Sequence, residues 1–416
     1  MPRSLVRIRC VAWRPMSLSN TLVLLVLAAL LSSAQVDSEQ RLRIEARDGA
    51  THTLALAEVN AKSLSEWHAI AVRPEGFEAP TLRADLRTLV EVQLNDGDTL
   101  HGAAVGGTGE QLHVELAGAL RLGIDAELLA RVLFTGQVSP AAARALEAPP
   151  HGDRLYWARP AGLDCVDGTL EAFSDAGVGF ESALGKRVFP WNEIAALYVE
   201  ALETGPAKRV RTAASVCVDL VDGGRLHGEL SSLTGTSARL RWNSGTEVEI
   251  ALASIVEVTL DDGTLEFLSS VTPDVTREGW PAGDELGMKW PVQIDRAVTG
   301  DALRCGGRSW SRGLGVHAPS RLQWNLDGSW KALRGAVAVD DSVLLLPYRG
   351  SVEFALYLNG ADEPAWRSGR VRGGDAPLEL PALPLVGVRS LALQVDMDER
   401  SYVADRANWL RLLLVR

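Results

Sequence analysis

The chain of 416 residues has little cysteine (4) and little methionine (4), and no excess of positive charge, since 42 Lys+Arg stand against 53 Asp+Glu for a formal net charge of −11. Each shortage excludes something. With so few cysteines and no CxxC pair, neither a disulfide framework nor a thiolate zinc site is expected, although a single bridge between two cysteines stays open. The acidic balance lacks the basic footprint that phosphate-backbone binding needs, so nucleic acid is not an expected partner. HExxH, GxSxG, Walker A and a GxGxxG opening a helix are all missing. That removes the enzyme classes that short motifs reveal.

No stretch reads as a membrane span. Arg3, Arg7, Arg9 and Arg14 precede an unbroken apolar run of ten residues, Leu22 to Leu31, followed by Ser32-Ser33-Ala34. The run is about half of the ~20 residues a spanning helix needs, and the order of basic, apolar and small residues predicts a secretory signal peptide over residues 1–34. Residues 1–34 carry four arginines and no acid, so the remainder has a charge of −15 and three cysteines, Cys165, Cys217 and Cys305. A secreted or periplasmic protein, not inserted in the membrane after signal cleavage, is the expectation.

What is present is repetition. Val90-Glu91-Val92-Gln93-Leu94-Asn95-Asp96-Gly97-Asp98-Thr99-Leu100-His101-Gly102 recurs as Val216-Cys217-Val218-Asp219-Leu220-Val221-Asp222-Gly223-Gly224-Arg225-Leu226-His227-Gly228. Period-2 alternation around a DG pair predicts two strands joined by a tight turn. A weaker copy surrounds Asp167-Gly168-Thr169-Leu170, and another begins at Arg41 with Asp48-Gly49 as its turn. The expected organisation is a first repeat at 35–92, a second at 88–136, a linker at 137–153, a third repeat at 154–203, a linker at 204–214, a fourth repeat at 215–263 and a separate domain at 264–416. In the first linker Ser139-Pro140 predicts the capped start of a short helix, and Pro149-Pro150 its stop. In length and pattern the repeats resemble small β-barrels of the Sm-like or SH3-like kind. His101 and His227 occupy matched positions and read as outward-facing strand residues, with no carboxylate or second histidine at ligand spacing.

The last region differs in character. Seven of the 12 tryptophans lie beyond residue 263, and from residue 270 onward 18 basic and 18 acidic residues balance, so the acidity belongs to residues 35–269. Alternating segments such as Arg321–Leu326, Val352–Leu358 and Leu391–Val395 predict a β-sandwich. The fold class is thus all-β, tandem barrel-like repeats followed by a sandwich.

An ordered series of motifs runs through this region: Phe267-Leu268-Ser269-Ser270, Ser311-Arg312-Gly313-Leu314-Gly315-Val316-His317-Ala318, Leu326-Asp327-Gly328-Ser329-Trp330, Val337-Ala338-Val339-Asp340-Asp341, Gly350-Ser351-Val352-Glu353-Phe354, Asn359-Gly360, Trp366-Arg367-Ser368 and Asp405-Arg406-Ala407-Asn408-Trp409. In this order the region resembles the NPCBM family, the novel putative carbohydrate-binding modules. The resemblance implies a galactose-binding-like jelly-roll that recognises glycosides, usually without catalysis of its own. Ala338, Asn359, Arg406 and Asn408 depart from the family's usual residues, and a ligand of a different kind is the expectation if the closing motif lines the site.

A sugar site needs a flat aromatic platform ringed by short polar groups, because a pyranose presents C–H faces bordered by hydroxyls. Trp310, Trp366 and Trp409 are candidate platforms, and His317, Asp340, Asp341, Asp405 and Asn408 candidate polar partners. Trp324 and Trp409 lie in apolar alternating strands, which favours core packing for both. Asp340 and Asp341 with Asp396 and Asp398 form a candidate structural Ca²⁺ set, since that ion takes hard oxygen ligands. The function expected is non-catalytic binding of a glycan or glycoconjugate, with the repeats as a spacer or a platform for protein partners. A structural protein that uses the sandwich for protein contacts, and a glycoside hydrolase with an appended module, stay as alternatives.

Overall fold

The computed structural model of the protein describes residues 40–60, 64–82, 84–139, 142–143, 145–159, 162–201, 211–242, 245–278, 290–398 and 403–416. The signal peptide read at 1–34, residues 204–210 of the second linker and Trp280 lie outside them. The described chain is all-β, with only short 3₁₀ turns and one helical turn at Ala142–Ala143. At that turn the Ser139 hydroxyl accepts from the Ala142 amide at 3.2 Å, the cap that Ser139 predicts.

Three of the repeats share one construction. In the second unit, strand Leu89–Leu94 pairs with Thr99–Thr108 across the Asp96-Gly97 turn, then Gln111–Leu116 and Arg121–Asp125 follow, and Leu129–Phe134 returns to pair with the first strand. The fourth unit repeats this with Ser215–Leu220, Arg225–Leu233, Ser237–Trp242, Glu247–Ala251 and Ile255–Leu260. Each is a strongly bent, barrel-like sheet. In each, a glycine on the long second strand faces the third strand so closely that a Cβ would lie 2.5 Å (Gly102) or 2.4 Å (Gly228) from a carbonyl oxygen.

The third unit corrects one expectation. Asp167-Gly168 is not a turn; it lies inside the 13-residue strand Gly162–Ser174. Gly168 pairs with Ser182, and a Cβ there would lie 2.0 Å from the Glu181 carbonyl oxygen. It is therefore the counterpart of Gly102 and Gly228, and Asp167 that of the two histidines. The glycine is needed for close approach of two strands, which the dipeptide alone does not distinguish from a turn. The first unit is shorter, with Arg41–Ala46 pairing both Thr51–Ala55 and Ala69–Glu75.

The units join by their last strands. Leu129–Phe134 pairs with Ile194–Tyr198 of the third unit, and Ile255–Leu260 with Ala69–Glu75 of the first. Between these two halves, Thr99 pairs with Arg225. Those are matched positions of the repeat, so a local two-fold relation passes between them. Apolar side chains of all four units merge into one buried cluster running from Leu42 to Val258.

Around the axis the two matched histidines enter the opposite unit's turn. His101 donates from Nδ1 to the Asp222 carbonyl oxygen at 2.7 Å, and His227 Nδ1 lies 2.5 Å from Asp98 Oδ1. Asp98 is 1% exposed and also accepts from the His227 amide and, at 2.8 Å, from Trp242 Nε1. This corrects the reading of both histidines as plain outward-facing residues without a carboxylate nearby. Burial disfavours the charged His227 ring, but the Cys217 sulfur and the Asp98 carboxylate outweigh it and raise its pKa to about 9. A raised histidine pKa contributes stability that is full below the unfolded value of ~6.5 and is lost as pH rises through the folded one. The urea midpoint is therefore expected to fall between pH 7 and pH 10, and His227→Gln to flatten that part of the profile. An unchanged slope in the variant would remove His227 as the cause.

The described residues from 265 to 416 form an antiparallel sandwich. One sheet orders Gln293–Ile294, Gly313–His317, Arg406–Val415 and Ala332–Val339, with Leu265–Phe267 on the far end of Arg406–Val415. The other orders Val275–Glu278, Ser320–Asn325, Ser390–Met397, Ser351–Leu358 and Trp366–Arg372. Between them Trp324, Phe354 and Trp409 are fully buried, with Phe354 edge-on to Trp409 at 5.0 Å. Most of the tryptophan surplus of this region thus packs its core.

The sandwich is fixed to the first and fourth units by buried ion pairs. Arg411, at a bulge with φ +48°, donates from Nε to both carboxylate oxygens of Glu257 at 2.6 and 2.8 Å, and its Nη1 lies 2.7 Å from Glu45. Arg312 pairs with Asp219 at 3.2 Å and reaches Cys217 Sγ at 3.1 Å, while Arg225 pairs with both Asp219 and Asp295. Burial alone would raise the Asp219 pKa, but Arg312 and Arg225 lower it to about 2. Ile70, Leu265, Phe267, Leu413 and Val415 close an apolar contact beside these pairs.

Candidate functional site

The central strand Arg406–Val415 places its side chains on two faces. Ala407, Trp409, Leu412 and Leu414 enter the sandwich core, whereas Leu410 packs on the outer face with Cys305, Trp310, Ala336 and Ala338. The outer face is covered by a hairpin, Leu303–Cys305 and Arg308–Trp310. Its turn uses Gly306 and Gly307, both at positive φ, which glycine adopts without strain.

Asp340 and Asp341, at the end of strand Ala332–Val339, mount this hairpin. Asp341 accepts the amides of Gly306 and Gly307 at 3.1 and 2.9 Å, and Asp340 accepts those of Ser342 and Arg304. Asn408, fully buried, donates to Asp340 Oδ2 at 2.7 Å and to Cys305 Sγ at 3.2 Å. Burial, with Asp340 and Asp341 adding to it, pushes the Cys305 thiol up to about 12. Cys165, Cys217 and Cys305 are all free thiols.

His317 ends strand Gly313–His317. It is 4% exposed, donates from Nδ1 to the Ala318 carbonyl oxygen, and stacks on Trp290 at 5.4 Å and 17°. Burial chiefly, and the Arg406 charge, lower its pKa against the Ala318 hydrogen bond, which keeps the ring neutral. Asp405 accepts from the Ser351 amide, and Ser351 Oγ donates to Asp398, which also pairs with Arg370.

Thus His317, Asp340, Asp341, Asp398, Asp405 and Asn408 gather at one end of the sandwich. Trp366 does not join them: it pairs with Leu356, five residues beyond Ser351, roughly 17 Å along the strand. Trp409 is 1% exposed and forms part of the core, so its ring offers no open platform. Trp310 is 8% exposed; its Nε1 donates to the Cys305 carbonyl oxygen, and the Arg308 guanidinium covers its ring at 3.9 Å. Asp396 accepts from Gln394. Among the described residues no three His, Cys, Asp or Glu side chains are placed to share a metal ion, so the four aspartates read as a calcium set are not gathered into one.

Sequence reasoning missed Trp290, Arg308 and Cys305. Arg308 was within reach: it stands two residues before Trp310 on a strand, and that spacing puts both on one face. Trp290 and Cys305 carry no local signal for these roles, since His317, which stacks on the first, and Asn408, which donates to the second, lie on other strands.

A 126-residue segment is 34% identical to part of alpha-1,3-galactosidase B of Akkermansia muciniphila; the match covers 29% of this chain and 15% of that one. The chain thus spans only a small part of that relative. Among solved structures, CBM51 from Clostridium perfringens GH95 in complex with methyl-galactose is 22% identical, covering 36% of this chain and 100% of that one with a TM-score of 0.32. The tandem CBM51 modules of a family 98 glycoside hydrolase from Streptococcus pneumoniae are 13% identical, covering 86% of this chain and 99% of that one with a TM-score of 0.29. No helix among the described residues is long and apolar enough to cross a membrane. The family model for the NPCBM/NEW2 domain matches residues 266–414, and the sandwich described above is that domain.

Proposed function

We propose that the C-terminal domain binds a terminal sugar of a glycan, of galactose type, and does not turn it over. The observation that carries this reading is the NPCBM/NEW2 match over residues 266–414, and the 126-residue likeness to part of an alpha-1,3-galactosidase supports the sugar type. The polar end of the sandwich is the proposed site. There Trp290, half-buried and backed on one face by neutral His317, supplies an aromatic surface, and Arg406, held to Ser342 Oγ at 3.0 Å, supplies a directional donor. Asp340, Asp341 and Asn408 act one layer behind by fixing the hairpin.

Titration of the full chain with methyl galactoside, alongside a glycan array, tests the proposal. Trp290→Ala is expected to weaken binding about 3- to 10-fold, the range set by one aromatic contact, with the melting temperature nearly unchanged. A folded chain that retains no saccharide would end the binding proposal, and release of product from a panel of aryl glycosides would replace it with an enzyme. Export is proposed from the order of residues in 1–34, and N-terminal sequencing of protein recovered outside the cytoplasm is expected to begin near Gln35. The repeats are proposed as the scaffold that carries the sandwich.

A further inference from the structure

Between the sandwich and the first and fourth units lies a cleft of about 590 Å³, within the usual size range of small-molecule sites. Its walls come from both parts of the chain, with Arg73, Glu75 and Phe77 on one side and Arg304, Arg308 and Trp310 on the other. Arginine dominates the lining. Arg41 is paired with Glu75 at 3.0 Å, and Arg312 and Arg411, which also line the cleft, are matched by Asp219 and Glu257. The others are not matched in this way. Arg304 and Arg308 make no ion pair within 4.0 Å among the described residues, and Arg73 reaches only Glu45, at 3.8 Å, with its Nε buried and without a hydrogen-bond acceptor. The carboxylates at hand are already engaged, so the cleft holds more cation than its own anions balance.

We propose that this cleft binds the acidic group of a saccharide, a sugar carboxylate or sulfate ester, between Arg308 and Arg73. Three further features support it. The Arg308 guanidinium sits over the Trp310 ring at 3.9 Å, so it covers that indole face against a neutral sugar while the ring holds the cation in place at the cleft. Burial, which removes water from Arg73 and Arg308 faster than nearby carboxylates replace it, lowers the pKa of both, whereas those of Arg312 and Arg411 are raised. An arriving anion would supply the missing partner. Phe77 and Pro74 provide an apolar wall for the ring that carries the acid.

The site is distinct from the sandwich end where the neutral sugar is proposed, and the experiment separates the two. The full chain is titrated at low ionic strength with galacturonate, galactose 6-sulfate, inorganic sulfate and methyl galactoside. At least one of the two acidic sugars is expected to bind at least tenfold more tightly than inorganic sulfate, and its affinity to fall as salt rises. Which of them binds identifies carboxylate or sulfate ester as the group. Arg308→Gln is expected to weaken the acidic sugar at least tenfold while leaving methyl galactoside binding and the melting temperature unchanged; Arg73→Gln, from the other wall, is expected to weaken the acidic sugar likewise and leave methyl galactoside binding unchanged, with a lower melting temperature because Arg73 also faces buried Glu45. Equal affinity for inorganic sulfate and the sugar acids would overturn the saccharide assignment. Unchanged affinity in Arg308→Gln, or no binding of either acidic sugar, would overturn the site itself.

Discussion

Arg411→Met is expected to destabilise the protein by about 3–5 kcal/mol, the usual loss when one member of a buried ion pair is removed and its partner stays charged. The side chain of Arg411 is 6% exposed, and it is the common partner of Glu257 and Glu45, which belong to two different units of the repeat region. Burial pushes the Glu45 pKa up, but Arg411, Arg73 and Arg334 together hold it below the ordinary value, and the first of these is lost in the variant. The substitution leaves the backbone strain as it was, because position 411 is at φ +48° with either residue. What changes is charge and hydrogen bonding. Since these bonds cross from sandwich to repeats, calorimetry is expected to resolve two transitions in the variant where the parent shows one. Arg411→Met combined with Glu257→Leu, which removes the stranded carboxylate, is expected to recover much of the loss. A single transition at the parent temperature in Arg411→Met would show that the ion pairs do not join the two parts.

The next largest effect is expected at Asp98. Asp98→Ala leaves Trp242 Nε1 and the His227 amide and ring without their acceptor in a buried site, with an expected cost of about 3 kcal/mol. Asp98→Asn keeps an oxygen for the indole but removes the charge that favours the protonated His227, so an intermediate loss is expected. Urea unfolding at pH 7 measures both. If Asp98→Ala were to lie within ~0.5 kcal/mol of the parent, the range of an ordinary surface substitution, the contact between the second and fourth units would be dispensable.

How far the sequence could be read follows from the range of each signal. Alternation marked the strands because a half-buried strand alternates by geometry, as at Leu89–Leu94 and Arg225–Leu233. The Asp96-Gly97 and Asp222-Gly223 turns were legible for the same local reason. Asp167-Gly168 was misplaced because close strand approach and positive φ select the same residue, and only the partner strand tells them apart. For the candidate site, the motifs located the sandwich end, but the roles of its members depend on pairings across tens of residues. Asp341 was legible as a carboxylate; that it holds the amides of Gly306 and Gly307 was not. Trp310 was legible as an aromatic beside small residues, while the arginine covering it required the hairpin. Arg411 and Arg312 had no sequence signal of docking, because their partners lie 154 and 93 residues away.

The two-fold relation at Thr99 and Arg225 implies that the repeats present two similar landing faces, yet the sandwich takes one. Matching the repeats residue by residue shows why. The face that receives it offers Asp219, Arg225 and Glu257; the corresponding positions on the other half are Gln93, Thr99 and Arg131. Arg131 is itself engaged by Glu91 at 2.6 Å. Arg411 would meet a like charge there, and Arg312 an amide in place of a carboxylate. The duplicated scaffold therefore carries an address written in charge, and three side chains make the geometrically equivalent berth the wrong one.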